Sequence, residues 1–141
     1  LLFEWANDKT TRANAFNPDP ILLLTHKSWL MRRLKHRETC RMFIFENDQA
    51  MPVGQVRFDR DELMCWGIDF SLAPMFRGLG LGKRMLSAAI DIFKKEYPGG
   101  DISGVVKINN EPSRRAFESL GFVGYFNAAA DVMIYRRTLD M

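Results

Sequence analysis

The sequence predicts an α/β domain built around a mixed, mostly antiparallel sheet, and three observations carry that prediction. Between Arg41 and Leu72 three strand-like runs follow one another with only short polar turns between them, the order expected of hairpins. From Phe70 to Leu86 the chain reads FSLAPMFRGLGLGKRML: an apolar run ends at Pro74, a glycine-rich turn follows, and helix-forming residues take over at once. The helix then leads into a further strand, Asp101 to Ile108, and a strand–helix–strand crossover makes that strand a parallel neighbour of the one at 64–72.

At 141 residues, 47% apolar and 26% charged, the chain is expected to form one domain over residues 1–141 with a substantial core. It opens on Leu1 inside what reads as an amphipathic helix to Asp8, so a preceding segment is expected. Residues 9–20, with Asn14, Asn17, Pro18, Asp19 and Pro20, read as a loop. A helix from about Leu22 to Lys35 places Leu23, Trp29, Leu30 and Leu34 inward, with Lys27, Arg32, Arg33, Lys35 and Arg37 as a solvated basic face. Strands follow at Arg41–Phe45, Val53–Phe58 and Met64–Leu72, the last two joined by Asp59–Glu62. In the third strand Ile68, Phe70 and Leu72 share one face and Asp69 and Ser71 the other. Asp69 is an acid in an apolar strand; a salt bridge to Arg57 is the plainer alternative to a catalytic role. The next helix keeps its apolar period through Leu81, Met85, Ala88, Ala89, Ile92 and Phe93 to Tyr97, where Pro98-Gly99-Gly100 stops it. A helix from Pro112 to Leu120, ended by Gly121, leads to strands near Phe122–Asn127 and Asp131–Leu139.

Glycines at 78, 80 and 82 admit backbone angles that side chains forbid and let a ligand approach closely, so successive N–H groups can face one anion. The helix start adds unpaired N–H groups and a positive dipole end. A P-loop is excluded, because the position five before Gly82 is Arg77 and Lys83 is followed by Arg84. A dinucleotide fingerprint fits poorly, since the spacing is G-x-G-x-G and lies deep in the chain. The charge of +3 and pI near 9.0 are mild, so a polyanionic small molecule accounts for them and nucleic acid is not required. Cys40 and Cys65 stand alone, which argues against a zinc site or other metal and for reduced thiols in a cytoplasmic protein. No membrane span or signal peptide is expected, and a Ser-His-Asp hydrolase lacks its nucleophile elbow.

Arg77-x-x-Gly80-x-Gly82 directly after a strand ending in Pro74 resembles the acetyl-CoA signature of the GNAT N-acetyltransferase superfamily. A second element matches in order about 30 residues on: Asn110 after an apolar strand, Ser113 opening a short helix, then Ala116-Phe117-Glu118-Ser119-Leu120-Gly121-Phe122. The resemblance covers roughly residues 40–138. It implies the GNAT fold, with helices on both sheet faces and strands 64–72 and 102–108 splaying apart around pantetheine. It also implies acetyl-CoA as co-substrate and no metal. Arg77, Gly78, Leu79, Gly80, Leu81, Gly82 and Lys83 would form the pyrophosphate turn, while Asn110 and Ser113 would meet the pantetheine arm and Phe117 would complete the cofactor-binding set. Backbone groups near Leu72 would pair with pantetheine, and an N–H there would polarise the thioester carbonyl. Many family members carry a tyrosine acid where this chain has Phe117, leaving Tyr125 as a distant alternative or water as the proton source. A first strand usually precedes the opening helix in this family, so that strand is expected to be missing here. Homodimer formation stays open.

The acceptor side resembles the GNAT subgroup that acetylates nucleotide-linked amino sugars of the pseudaminic and legionaminic acid type, in polysaccharide biosynthesis. The residues are Trp5, Asn7, Asp8, Arg12, Asn14, Phe16, Asn17, His26, Trp29, Gln55 and Arg57. The resemblance makes Asn7, Asn14, Phe16, Asn17, His26, Trp29, Gln55 and Arg57 the substrate-binding set. Core packing serves equally for Trp5 and Trp29. For the general base the order of candidates is His26, Asp69 and Glu62. Acetylation of a peptide N-terminus or lysine is an alternative, as is a non-catalytic CoA-binding module.

Overall fold

The computed structural model describes residues 1–61 and 63–140. Helices α1 (Leu2–Ala6), α2 (Lys9–Asn14) and α3 (Leu23–Lys35) precede strands β1 (Cys40–Glu46), β2 (Pro52–Arg60) and β3 (Trp66–Leu72). A single 3₁₀ turn at Pro74–Phe76 leads to α4 (Leu81–Glu96), β4 (Asp101–Lys107), α5 (Glu111–Ser119), β5 (Val123–Asn127) and β6 (Val132–Thr138). The strands form one sheet in the order β1-β2-β3-β4-β6-β5. All neighbours run antiparallel except β3 and β4, the predicted parallel pair.

Strand alternation sorts side chains onto two faces with different chemistry. On one face Val56, Phe58, Trp66, Ile102 and Val106 are buried against Leu86, Ala89, Ile90 and Phe93 of α4. Phe93 stacks on Phe58 with centroids 4.1 Å apart and planes 6° from parallel, and Trp66 meets Phe93 edge-on at 5.0 Å. The opposite face carries Gln55, Arg57 and Asp59 of β2 with Asp69 and Ser71 of β3, and α3 covers it, Trp29 lying 4.8 Å from the Arg57 guanidinium. Helices therefore flank both faces.

Three elements differ from the sequence reading. Residues 9–14 form helix α2 rather than loop; the Asp8 carboxylate accepts from Thr11 N at 3.2 Å and caps it. No α2 side chain is buried, so no apolar period announced the helix. In α3 the buried residue is His26, which packs against Phe3 of α1, whereas Leu23 and Leu34 are exposed, because the polar sheet face beneath α3 takes Trp29 and Arg33. Strand β3 starts at Trp66 rather than Met64, which adopts a positive φ of 65° in the preceding turn.

The β3–β4 ladder is short. Only Trp66↔Ile102 and Gly67↔Ser103 pair, and beyond them the strands diverge into a fork. Phe117 of α5, 2% exposed, lies beneath the fork on the core face: its ring meets Phe70 of β3 edge-on at 5.6 Å and lies directly on Gly104 of β4. A Cβ at position 104 would stand 2.3 Å from the ring. Gly104→Ala is expected to cost about 1–3 kcal/mol by overpacking, although glycine removal from a strand is otherwise mildly favourable. Denaturant unfolding checks this, and a variant as stable as wild type would show that the ring yields.

Candidate active site

Strand pairing leaves backbone groups open along the fork. Ala73 N donates to Val53 O at 2.7 Å, and the antiparallel alternation that this bond sets turns the N–H and C=O of Phe70 and Leu72 away from β2, toward the gap. Ile108 N donates to Asp131 O, so on β4 it is Val105 and Lys107 whose backbone faces the gap. Because β3 and β4 are parallel, both end on the same side. The glycine turn and α4 follow one arm, and Asn110 and α5 follow the other.

The α4 N-terminus is built for an anion. Gly80, its N-cap, sits at φ 72°, and no side chain caps the first turn. That turn holds no acid, and Lys83 and Arg84 add cations to the positive dipole end. Such an end is electrostatically unfavourable until negative charge arrives, which suits a pyrophosphate. Gly78 likewise has a positive φ of 75°. Gly82 differs from expectation: it has no positive φ, and a Cβ there would meet Leu72 and Phe70 at an ordinary 3.8 Å. Leu79 is exposed beside the turn and Leu81 opens the helix. The Arg77 guanidinium turns toward the N-terminal helices, donating from Nη2 to Asp8 Oδ2 at 2.6 Å.

Across the fork Asn110 is the N-cap of α5, yet its side chain makes no capping bond. Ser113 lies half-buried in the first turn. Phe117 is core, stacked on Tyr135 at 5.4 Å, and the Tyr135 hydroxyl donates to Glu118 Oε1 at 3.1 Å. Tyr125 is no substitute acid. It lies on the outer strand β5, three strand spacings from β3, or about 14 Å.

On the α3 side, cross-strand register brings Gln55 opposite Ser71 and Arg57 opposite Asp69. Gln55 Nε2 donates to Asp69 Oδ2 at 3.0 Å and to Ser71 Oγ at 3.2 Å. Facing a carboxylate, the amide must present its nitrogen, which leaves the buried Oε1 as an acceptor without a partner among the described residues. Asp69 keeps a 57% exposed side chain, so it remains accessible as an acceptor. Arg57 is the keystone beneath: Nε donates to Asp59 Oδ2 at 2.6 Å, Nη1 lies 3.7 Å from Asp69, and Trp29 covers it. Arg33 holds the other Asp59 oxygen at 3.1 Å. The face of Trp29 is thus taken by arginine rather than left open for stacking.

His26 is buried between Phe3 and Trp29, each ring 5.5 Å away, and burial pulls its pKa below 6.5. Asn7 clamps Ile21 with both ends of its amide, at 2.6 and 2.8 Å. Asn17 Oδ1 accepts from Asp19 N, and Phe16 and Asn14 lie at the end of α2, Phe16 being 66% exposed. Glu62 lies outside the described residues. Beside Trp29 a groove of about 240 Å³ is lined by Arg32, Arg33 and His36. Cys40 is inert, its thiol pushed up to about 11 by burial and by Asp59 opposite it. Among the described residues no group of three or more His, Cys, Asp or Glu could hold a metal, and no helix is long and apolar enough to cross a membrane.

The contacts of two residues, Ser71 and Asp8, escaped the sequence reading. Ser71 joins Gln55 and Asp69 only through strand register, which no single strand displays. Asp8 acts on Arg77 from 69 residues away, and its legible signal was an acid three positions before Thr11, the pattern of a helix cap.

A folded-state pKa below the unfolded value means that His26 favours its neutral form. Its contribution to stability is full above pH 6.5 and is lost as pH falls through 6.5 toward the folded value. The stability gap between wild type and His26→Gln should therefore narrow from pH 7 to pH 5 in thermal melts. A constant gap would show that His26 titrates freely.

The family model described as "Acetyltransferase (GNAT) domain" matches residues 1–123. Among curated proteins no sequence matches. Solved structures align over nearly the whole chain. A domain from Methanocaldococcus jannaschii DSM 2661 shares 22% identity over 98% of this chain and 90% of its own, with a TM-score of 0.81. A spermidine N-acetyltransferase from Vibrio cholerae, in complex with CoA and spermine, shares 18% over 98% and 88%, with a TM-score of 0.82. RimL, a ribosomal L7/L12 alpha-N-protein acetyltransferase in complex with CoA, shares 16% over 99% and 87%, with a TM-score of 0.81. With an open strand fork and an uncapped, cation-bearing helix end beside it, the chain belongs to the GNAT acetyltransferase family and is an acetyl-CoA-dependent N-acetyltransferase.

Proposed function

We propose that this enzyme acetylates the amine of a small acceptor that also carries negative charge, a nucleotide-linked amino sugar being the class that fits. One observation carries the reading: the acceptor-side helix is cationic. From Pro20 to Arg37 the chain has no acidic residue, while Lys27, Arg32, Arg33, Lys35 and Arg37 are basic, and the groove beside Trp29 is lined by Arg32, Arg33 and His36. A polyamine would be repelled there, and a phosphate attached to the acceptor would be attracted. Nearer the fork the chemistry reverses. Gln55 Oε1, Asp69 and Ser71 are oxygen acceptors within one cluster, and such a cluster receives the N–H groups of an amine. Acceptor oxygens at the fork and cations beyond it match an amine on a sugar whose far end is phosphorylated.

When bound, acetyl-CoA supplies an activated acetyl thioester. The Gly78 to Lys83 turn and the α4 N-terminus are the anion site for its pyrophosphate, and Asn110 with its unused side chain faces the arm between. Leu72 N–H, on the open edge, is the donor for the carbonyl oxygen, and one such donor is worth about two to three orders of magnitude in rate. Attack requires a neutral amine. A sugar amine beside electron-withdrawing carbons is less basic than lysine, so a modest acceptor suffices, and Asp69 replaces His26 as first choice because it is exposed whereas His26 lies between two aromatic rings. Phe117 donates no proton; the thiolate leaves as such and takes its proton from water, which a thiol pKa of about 8.5 permits.

The anion site is tested by Gly80→Asp, which places charge and a strained side chain at the helix end. Calorimetry is expected to show acetyl-CoA affinity lowered by at least about tenfold. Unchanged affinity would remove the pyrophosphate from this turn. For the acceptor, thiol release is measured with acetyl-CoA and a UDP-linked 4-amino-4,6-dideoxy sugar, spermidine or a short peptide. The nucleotide sugar is expected to give the highest kcat/KM. Arg32→Glu should raise its KM by about tenfold, the loss of one charged contact, with the acetyl-CoA KM unchanged. Turnover of spermidine at equal or greater kcat/KM would move the acceptor class to polyamines.

A further inference from the structure

Helix α2 is held in an unusual way. It buries no side chain, and six residues are too few to be helical on their own in water, so its position depends on polar tethers at its ends. At the N-terminal end Asp8 Oδ2 accepts from Thr11 N at 3.2 Å, from Thr11 Oγ1 at 3.4 Å and from Arg77 Nη2 at 2.6 Å. The same guanidinium nitrogen reaches Thr11 Oγ1 at 3.3 Å. At the C-terminal end Lys107 Nζ donates to Ala13 O at 3.4 Å. Arg77 is the residue before Gly78, beyond the end of β3, and Lys107 is the last residue of β4. The two tethers therefore come from the two arms of the fork, and α2 bridges them where they no longer pair.

The stronger tether is the one beside the cofactor turn. Asp8 and Arg77 are both largely shielded, their side chains 19% and 30% exposed, and the guanidinium holds the Asp8 carboxyl below its ordinary pKa. Charge-assisted bonds of this kind are stronger than neutral ones. The far end of α2 leads into Asn14, Phe16 and Asn17, on the acceptor side, where Arg12 Nη1 donates to the carbonyls of Asn17 and Asp19 at 3.1 and 3.2 Å. Order imposed at the turn can pass through Asp8 to this segment, because the Asp8–Arg77 pair is the charge-assisted tether on a helix that buries no side chain fully.

We propose that Asp8 is a positioning residue for acetyl transfer: by gripping Arg77 it ties α2 to the glycine turn, so that a loaded turn immobilises the acceptor-side wall across the fork. Cofactor binding then prepares the acceptor site without touching it. The relation between the sites is a coupling, and it is lost when the tether is cut.

Hydrogen–deuterium exchange of residues 8–21, read on the whole chain with and without saturating CoA, tests this. In wild type CoA should slow exchange there by about fivefold or more, the scale of one charge-assisted bond. Asp8→Asn and Asp8→Ser keep an N-cap acceptor and remove the charge, so both should abolish the CoA-dependent slowing, while CoA affinity by calorimetry changes less than about threefold. Asp8→Glu, which restores the charge, should recover it. Lys107→Ala leaves Asp8 intact and should reduce the slowing only in part. Slowing that persists in Asp8→Asn, or exchange that quickens when CoA binds wild type because Arg77 leaves Asp8 for phosphate, would overturn the proposal.

Discussion

Two paired positions and then none: the shortness of the β3–β4 ladder is the constraint on which the site depends. A parallel pair would normally continue, because unpaired backbone groups are costly when buried. Here a phenylalanine ring stands against both arms, and a glycine on β4 gives it room. The arms are then left with N–H and C=O groups facing a gap that an amide-bearing ligand can satisfy. The same divergence brings the N-termini of α4 and α5 to one side, so their placement arises from a single packing decision in the core.

Electrostatics divides the remaining work. The α4 end gathers positive charge without any acid to neutralise it, which prepares it for phosphate. Beneath α3, by contrast, every strong charge is matched: Arg57 and Arg33 share Asp59, and Gln55 holds Asp69 in place. Arg57 is thereby held from three directions, by Asp59, Asp69 and Trp29. A guanidinium sandwiched between tryptophan and a carboxylate has little freedom to move, and this rigidity keeps Asp69 and Gln55 at fixed positions beside the fork.

Much of the fold was legible because it is written in short-range patterns. Period-2 alternation located β1 to β3, the helical period located α4, and the passage from strand through glycine turn to helix located the turn that opens α4 before any contact was seen. What failed had no such pattern. Helix α2 buries nothing, so its residues look like loop; α3 lies on polar side chains, so counting its leucines points the helix the wrong way. Gly82 was read through its angle, whereas its neighbours show that it lies in the helix with room to spare. The Gln55, Asp69 and Ser71 cluster is a product of register: its members are ordinary one by one and meet only when β2 and β3 are laid side by side. Even so, the Arg57–Asp69 pairing was among the alternatives that residue spacing raised.

The aromatic cluster of Phe58, Trp66 and Phe93 lies at the paired end of the fork, and the glycine turn, Asn110 and α2 lie at the other. That anchor is thus spatially separate from the glycine turn. On the proposed placement of the acceptor, substitutions on the N-terminal helices alter the surroundings of the amine while leaving that aromatic anchor untouched. For a lineage under selection, such an arrangement makes acceptor preference cheap to change and the acetyl donor hard to change, which is a physical reason for one scaffold to diversify among amines while keeping one thioester.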